Sequence, residues 1–524
     1  MTKLKLILTR LIVQIGIVCL LCSSSLYGQI SKTYNISNYG AVGNGQKLNT
    51  KIIQDIIDKA SAQGGGMVVI PKGTFLTGML QMKSNVNLHL EKDAVLMGSS
   101  NPFDYREIEM KALPVSPKQD DNSSLALLLA YNVHNISVTG PGTIDGNGTT
   151  LALNIDSLYH LGKLKDPHYA TWGNRPNEKV RPKLFLFALC TNVKIEEATL
   201  RNSACWGLSF ELCHNLSLHK LHIHNRAYWN NDGTDLTDCK NVRITDCDIN
   251  SADDGICLKS YYPGYCDDTF YIANCSIRSG ASAIKFGTAS FGGFKNITID
   301  NIKIFDTYRS AIAIESVDGG DIENIKVTNI KAVNTGNAIF IRLGNRVRKT
   351  PGTVKNVYIG NMQVQIPFGR PDINYDLRAA EPAYHNPFAS SITGIPGHNV
   401  KDIVLDNIEI TYPGRASKAQ AYFPLWRLKD YPEKVNSYPE FSMFGEMPSW
   451  AFYIRHAEGI TMKHIRLKLD QDDFRPAFIL DDVHNMDIQH LSLPKGYQKN
   501  QIIARKSTDI RLTETNGVDI NKVP

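Results

Sequence analysis

One short phrase recurs along this chain and constrains its fold more than any other feature. A turn residue precedes Asn, apolar residues follow at alternate positions, and after a polar turn comes a second apolar pair. Cys190-Thr191-Asn192-Val193-Lys194-Ile195 continues to Ala198 and Leu200. Cys213-His214-Asn215-Leu216-Ser217-Leu218 continues to Leu221 and Ile223, and Cys239-Lys240-Asn241-Val242-Arg243-Ile244 to Cys247 and Ile249. Val133-His134-Asn135-Ile136 is the first clear copy; Asn296, Asn324, Asn356 and Asn485 repeat it, and Val400-Lys401-Asp402-Ile403 is a variant. Period two means strands, and the phrases are too short for helices. Each copy buries one apolar edge and cannot form a core alone, so the copies must stack. Strands this short, with three turns per copy, predict an all-β, single-stranded parallel β-helix. Its Asn column would pass amide hydrogen bonds from coil to coil and satisfy buried turn groups.

Several apparent motifs dissolve into this repeat. Asn135, Asn215 and Asn296 sit in Asn-x-Ser/Thr triplets, but as ladder residues rather than glycosylation sites. Eight cysteines fall between Cys190 and Cys275. Cys190, Cys213 and Cys239 share one repeat position, and Cys247 and Cys275 another, so a stack of buried small residues is expected rather than disulfides. His214, His219, His222 and His224 fall on differing faces of two strands and do not make a metal site. Lys51 to Ala62 has helical spacing and ends at Gly64-Gly65-Gly66, which predicts a short N-terminal helix capping the core. Long interruptions near 104–122, 149–182, 367–398 and 412–450 read as loops on one face. The last contains Tyr422, Phe423, Trp426, Tyr438 and Trp450, aromatics suited to sugar stacking or to packing within the loop.

Residues 1–28 read as a secretory signal peptide, with Lys3, Lys5 and Arg10 ahead of an apolar run from Leu11 to Leu21. The run is short for a membrane span, and Leu21 before Cys22 disfavours a lipoprotein. A secreted or periplasmic protein is expected, with 29–524 as one β-helix domain. Removing the leader lowers the net charge of +6 to about +3, too little to argue for nucleic acid. No later segment is apolar enough to cross a bilayer, and a monomer is expected.

Aligning the coils after each Asn phrase sets Asp232-Gly233-Thr234-Asp235-Leu236 on Asp254-Gly255-Ile256-Cys257-Leu258. Ser282, Ser310 and Asn337 continue the column. Asp232 and Asp254 therefore lie on adjacent strands, roughly 4.8 Å apart, with Asp253 beside them and Asp235 one strand repeat along. No basic residue lies close to them in sequence. Like charges so placed repel, so one carboxyl should hold its proton near neutral pH. That division suits a general acid and a general base, the pair that glycoside hydrolysis needs. Acidic turns or a calcium site fit the same spacing.

From Tyr39-Gly40-Ala41-Val42-Gly43 to about residue 345 the chain resembles glycoside hydrolase family 28, the polygalacturonases. The resemblance runs through Gly64-Gly65-Gly66, Ser84-Asn85-Val86, Gly140-Pro141-Gly142-Thr143-Ile144-Asp145-Gly146, Arg181-Pro182 and Leu200-Arg201-Asn202-Ser203. The family's Asn-Thr-Asp motif stands as Asn230-Asn231-Asp232, and its paired Asp as Asp253-Asp254 before Ile256-Cys257-Leu258-Lys259-Ser260. The resemblance implies a right-handed parallel β-helix that hydrolyses pectic glycosidic bonds with inversion and without cofactor or metal. It makes Asp253 the general acid, with Asp232 and Asp254 orienting and deprotonating the water.

Two family motifs are absent. Gly-His-Gly falls at Gly280-Ala281-Ser282, and Arg-Ile-Lys, which engages the substrate carboxylate, at Ala313-Ile314-Glu315. Lys285, Arg309 and Arg342 on neighbouring coils are candidate replacements, unless they pair with Glu315 or Asp235. The expected substrate-binding set is Asn230, Asp235, Lys259, Lys285, Arg309, Glu315 and Arg342. The leading reading is hydrolysis of an α-galacturonosyl bond in a pectic oligo- or polysaccharide, with exo action if the loops close one end of the cleft. A rhamnogalacturonan or side-chain glycosidase, a calcium-dependent pectate lyase and a non-catalytic carbohydrate-binding β-helix are the alternatives.

Overall fold

The computed structural model describes residues 32–117, 123–169, 175–369, 371, 387–416, 424–497 and 499–524. The leader, residues 1–28, lies outside them, as do Tyr422 and Phe423.

The described strands form one continuous parallel stack, a right-handed β-helix. Three strand columns make its walls. In the first, Lys183–Ala188, Leu208–Glu211, Thr234–Thr237, Ile256–Ser260 and Ile284–Ser290 pair in succession. The second runs through Thr191–Glu196, His214–His219, Lys240–Thr245 and Asp267–Ala273. The third runs through Thr199–Arg201, His222–Asn225, Asp248–Ser251 and Ser276–Ser279. The register follows the phrase: Val193 pairs with Leu216, Leu216 with Val242, and Val242 with Phe270. Each is buried, so one apolar file fills the interior from coil to coil.

The Asn column has a second cause beyond the ladder. Asn192, Asn215 and Asn241 adopt φ of 58°, 57° and 55°, a left-handed bend that Asn tolerates better than other side chains. The ladder is present, with Asn192 Nδ2 donating to Asn135 Oδ1 at 2.8 Å and Asn215 Nδ2 to Asn192 Oδ1 at 3.0 Å. It runs along the exposed edge of the turns, not through buried ones, so what it fixes is the bend. The eight cysteines are free and buried, and the Cys213 and Cys239 thiols point at the Phe187 and Phe210 carbonyls of the preceding coils.

The N-terminal helix covers Thr50–Ala62 and buries Ile53, Ile56, Ile57 and Ala60 over the first coil. A second helix, Gly148–His160, occupies part of the expected 149–182 loop. Leu151, Ala152 and Ile155 form its buried stripe, a narrow pattern that the surrounding polar residues mask. Its start requires glycine, because a Cβ on Gly148 would lie 2.1 Å from the Ser203 carbonyl oxygen. Among the described aromatics of the 412–450 insertion, Trp450 packs inward against Tyr412 and Tyr431 against Tyr453, whereas Trp426 and Tyr438 are exposed. Among the described residues no helix is long and apolar enough to cross a membrane.

Candidate active site

The aspartate column forms because of the glycines that follow it. Thr234 pairs with Ile256, which sets Asp232 and Asp254 on successive coils. Gly233 N donates to the Asp254 carbonyl at 2.8 Å, and Gly255 N to the Ser282 carbonyl at 2.9 Å. A Cβ on Gly233 would meet the Gly255 oxygen at 2.5 Å, and one on Gly255 the Ala283 oxygen at 2.6 Å. Any larger residue would push the coils apart and separate the carboxyls. Asn231, fully buried, braces the turn: its Nδ2 donates to the Ser203 and Cys205 carbonyls, and its own carbonyl accepts from Asp253 N at 3.2 Å.

These turns open onto a cavity of about 410 Å³. Asp232, Asp253 and Asp254 line it with Asn230, Lys259, Lys285 and Arg309. Asp232 and Asp254 are buried, and Asp253 is the more exposed of the three. The aspartates do have basic partners, contrary to the expectation from sequence. Lys285 Nζ sits 3.1 Å from Asp254 Oδ2, and Lys259 Nζ sits 3.3 Å from Asp235 and 3.9 Å from Asp232. Both lysines lie on strands of the first column and reach the carboxyls across coils, a neighbourhood that linear distance conceals.

The two paired aspartates are held in different states. Burial raises Asp232 well above the usual carboxylate range, and the charges of Asp235 and Asp253 push it further. Burial also acts on Asp254, but Lys285, Lys259, Arg309 and the Ser282 N–H outweigh it and bring Asp254 down to about 2. Asp254 is thus biased toward the ionised form and Asp232 toward the protonated one. Their carboxyl oxygens and Cys257 Sγ lie within 4.8 Å of one another, a spacing that could suit a metal ion. Lys259 Nζ, however, is 3.2 Å from Cys257 Sγ, and with Lys285 it puts two ammonium groups against these atoms. A divalent cation would meet both charges, so the donor set does not suit one.

Asp235, Glu315 and Arg342 do not line this cavity, which corrects their expected role as substrate contacts. Asp235 is buried behind it against Lys259. Glu315 is buried, and its carboxyl is raised to about 8 by desolvation. Arg342 is buried, and its guanidinium donates to the Gly394, Glu433 and Lys434 carbonyls. Its outward direction was readable from the strand, but the insertion that covers it was not.

Trp206 and Tyr261 line the cavity without having been expected there, and of the insertion aromatics suited to sugar stacking Tyr438 reaches it. Trp206 was within reach of the repeat: Leu208 pairs with Thr234, so Trp206 holds the place of Asp232 one coil earlier. Tyr438 arrives from the insertion, where its hydroxyl accepts from Lys285 Nζ at 3.3 Å and its neighbour Glu440 pairs with Arg309. Phe441 packs on Ala313 and Phe340, so the small Ala313 at the lost Arg-Ile-Lys position makes room for this insertion.

The model of "Glycosyl hydrolases family 28" matches residues 61–422. The chain belongs to glycosyl hydrolases family 28. A "Probable polygalacturonase" of Vitis vinifera is 27% identical over 384 residues, covering 72% of this chain and 69% of that one. An "Exo-poly-alpha-D-galacturonosidase" of Dickeya chrysanthemi is 27% identical over 314 residues, and the match spans 52% of this chain and only half of that relative. Among solved structures, the Thermotoga maritima exopolygalacturonase superposes with TM-score 0.56 at 23% identity, covering 72% of this chain and 87% of that one. The Yersinia enterocolitica family 28 exopolygalacturonase gives 0.57 at 19% identity, covering 84% and 79%. At those identities the superpositions speak for the β-helix. Family membership makes the chain a glycoside hydrolase and favours hydrolysis over the lyase reading.

Proposed function

We propose that this family 28 enzyme hydrolyses α-galacturonosyl linkages at the end of a pectic chain, by an inverting mechanism carried by Asp232, Asp253 and Asp254. The observation that carries the reading is the convergence of three carboxyls on one cavity: Asp254 beside Lys285 and biased toward its ionised form, Asp232 within 4.8 Å of it and biased toward its protonated form, and Asp253 more exposed at the same wall. Water held between Asp232 and Asp254 attacks the anomeric carbon and gives its proton to Asp254. Asp253, the general acid that the family resemblance implies, protonates the leaving oxygen as the glycosidic bond breaks. Lys285, adjoining the vacant Arg-Ile-Lys position, faces the sugar carboxylate in place of the missing cations.

Exo action is supported by the insertion. Tyr438 and Glu440 stand at Lys285 and Arg309, and Phe441 covers the coils beyond. The cavity is thus walled on its C-terminal side, where a chain would have to continue for internal cleavage. Export rests on the leader-like start of the sequence.

Defined pectic oligosaccharides, with products resolved by mass and anomer, test this. Release of single galacturonate units with inverted configuration is expected. Asp253→Asn should lower the rate by about a thousand-fold while oligosaccharide still binds; a variant that keeps its rate would remove Asp253 from the acid role.

A further inference from the structure

Glu178 is a fourth carboxyl lining the catalytic cavity, and the hydrolytic step leaves it unused. It opens the short turn Glu178–Val180, which Asn177 caps by accepting from Lys179 N at 3.0 Å. The residue is 5% exposed, and its Oε2 has no hydrogen-bond partner among the described residues. Buried polar atoms are ordinarily paired, because an unpaired one bears the whole cost of its desolvation. Arg181 Nη2 stands 3.8 Å from this oxygen, beyond hydrogen-bond reach.

Arg181 is committed elsewhere. It is fully buried, with Nη1 donating to the Ala204 and Trp229 carbonyls at 2.7 and 2.6 Å and Nη2 to Asn230 Oδ1 at 2.7 Å. A guanidinium only donates, so Asn230 must turn its oxygen to Arg181 and keep Nδ2 for another partner. Asn230 lines the same cavity. One end of the cavity thus offers an amide donor and a carboxyl acceptor, both beside Arg181 Nη2. The other end offers Lys285, two rungs beyond Asp235 through Cys257, roughly 10 Å along the axis. A uronate matches this polarity, with its carboxylate at Lys285 and its ring hydroxyls at the far end. A hydroxyl donates and accepts at once, so it can give its hydrogen to Glu178 and take one from Asn230.

We propose that Glu178 is a specificity-determining residue of this site, accepting a hydrogen bond from a ring hydroxyl of the sugar whose carboxylate faces Lys285. The proposal rests on the galacturonosyl reading above and deepens it, since Glu178 and Lys285 together fix which way the sugar lies.

An aryl galacturonide and its analogues, each lacking one of the ring hydroxyls, test it with the parent enzyme, Glu178→Met and Glu178→Gln. For each substrate the quantity read is kcat/KM of the parent divided by that of the variant, in which any change in intrinsic reactivity caused by the missing hydroxyl cancels. For Glu178→Met this ratio should be about ten- to a hundred-fold on the full sugar and near unity on the analogue lacking the partner hydroxyl. Glu178→Gln keeps a carbonyl acceptor and should give a smaller ratio with the same pattern; it carries the comparison alone if the methionine variant does not fold. A merely structural role would lower all substrates equally, so one ratio shared by every substrate overturns the proposal, while hydrolysis by the parent enzyme keeps the galacturonosyl reading intact. If the parent hydrolyses none of them, that reading fails and the proposal with it.

Discussion

Lys285 Nζ bridges Asp254 and Tyr438, 3.1 Å from the carboxylate and 3.3 Å from the phenol oxygen. One ammonium thus joins the ionised aspartate of the solenoid wall to the insertion that closes the cavity. Lys285→Met should uncouple both. Burial would then act on Asp254 with less opposition and lift it from about 2. The acid limb of kcat/KM against pH should move up by more than one unit. Lys285→Arg should retain part of the activity and most of the limb. An unmoved acid limb in the methionine variant would show that Lys285 does not set the state of the base.

Glu315 gives a stability prediction of unusual sign. Its carboxyl is raised to about 8 by burial from an ordinary value of 4.5. The folded protein therefore keeps a proton that the unfolded chain releases, and stability falls as pH climbs from 4.5 to 8. Asp232 and Asp235, also raised, slope the same way. Glu315→Gln should flatten this decline and leave the variant more stable than the parent above pH 8, by a few kcal/mol. Urea unfolding at pH 5 and pH 8.5 reads the difference; a parent protein equally stable at both would contradict the assignment.

The column Asp232–Asp254–Ser282 was legible in the sequence because two independent signals fix strand register. The alternating apolar residues decide which face is buried, and the Asn turn decides where each coil begins. Lys259 and Lys285 were legible as positions but not as partners, because their charge contacts cross coils. Tyr438 was legible only as one of several aromatics suited to sugar stacking, and Glu440 not at all, since nothing local dictates where an insertion more than a hundred residues downstream folds back. Arg342 was misplaced for the same reason: its strand was right, and the backbone carbonyls of that insertion, not substrate, receive its donors.

Asn215 joins two features that separate substitutions can tell apart. Its φ is 57°, and its amide donates to Asn192 while its oxygen accepts from Asn241 at 3.2 Å. Asn215→Gly keeps the bend and loses the exposed ladder, so it should cost well under 1 kcal/mol. Asn215→Ala loses both and should cost about 1–2 kcal/mol. Chemical denaturation checks the order, and equal costs would assign the column to the ladder rather than to the bend.

Arg342 is a staple for the insertion. Nη1 donates to Gly394 O at 3.0 Å and Thr393 Oγ1 at 3.3 Å, and Nη2 to Glu433 O at 2.9 Å and Lys434 O at 3.0 Å. The Glu433 carboxylate is gripped in turn by Arg455 and by His456 Nε2, whose other ring nitrogen meets Asp482. Tyr438 and Glu440 follow a few residues later, so this anchorage sets the wall of the cavity. Arg342→Met keeps an apolar stem of similar reach and strands those carbonyls, a loss of roughly 2–4 kcal/mol. Because the insertion contributes little to the stacked core, the loss should appear as local opening rather than global unfolding. Limited proteolysis should cut first within 424–450, and KM for a terminal galacturonoside should rise several-fold more than kcat falls. Oligomers longer than one sugar should begin to appear among the products as the wall loosens. A variant that melts earlier as a whole, with no preferential cleavage in the insertion and no change in product length, would reduce Arg342 to a core-packing residue.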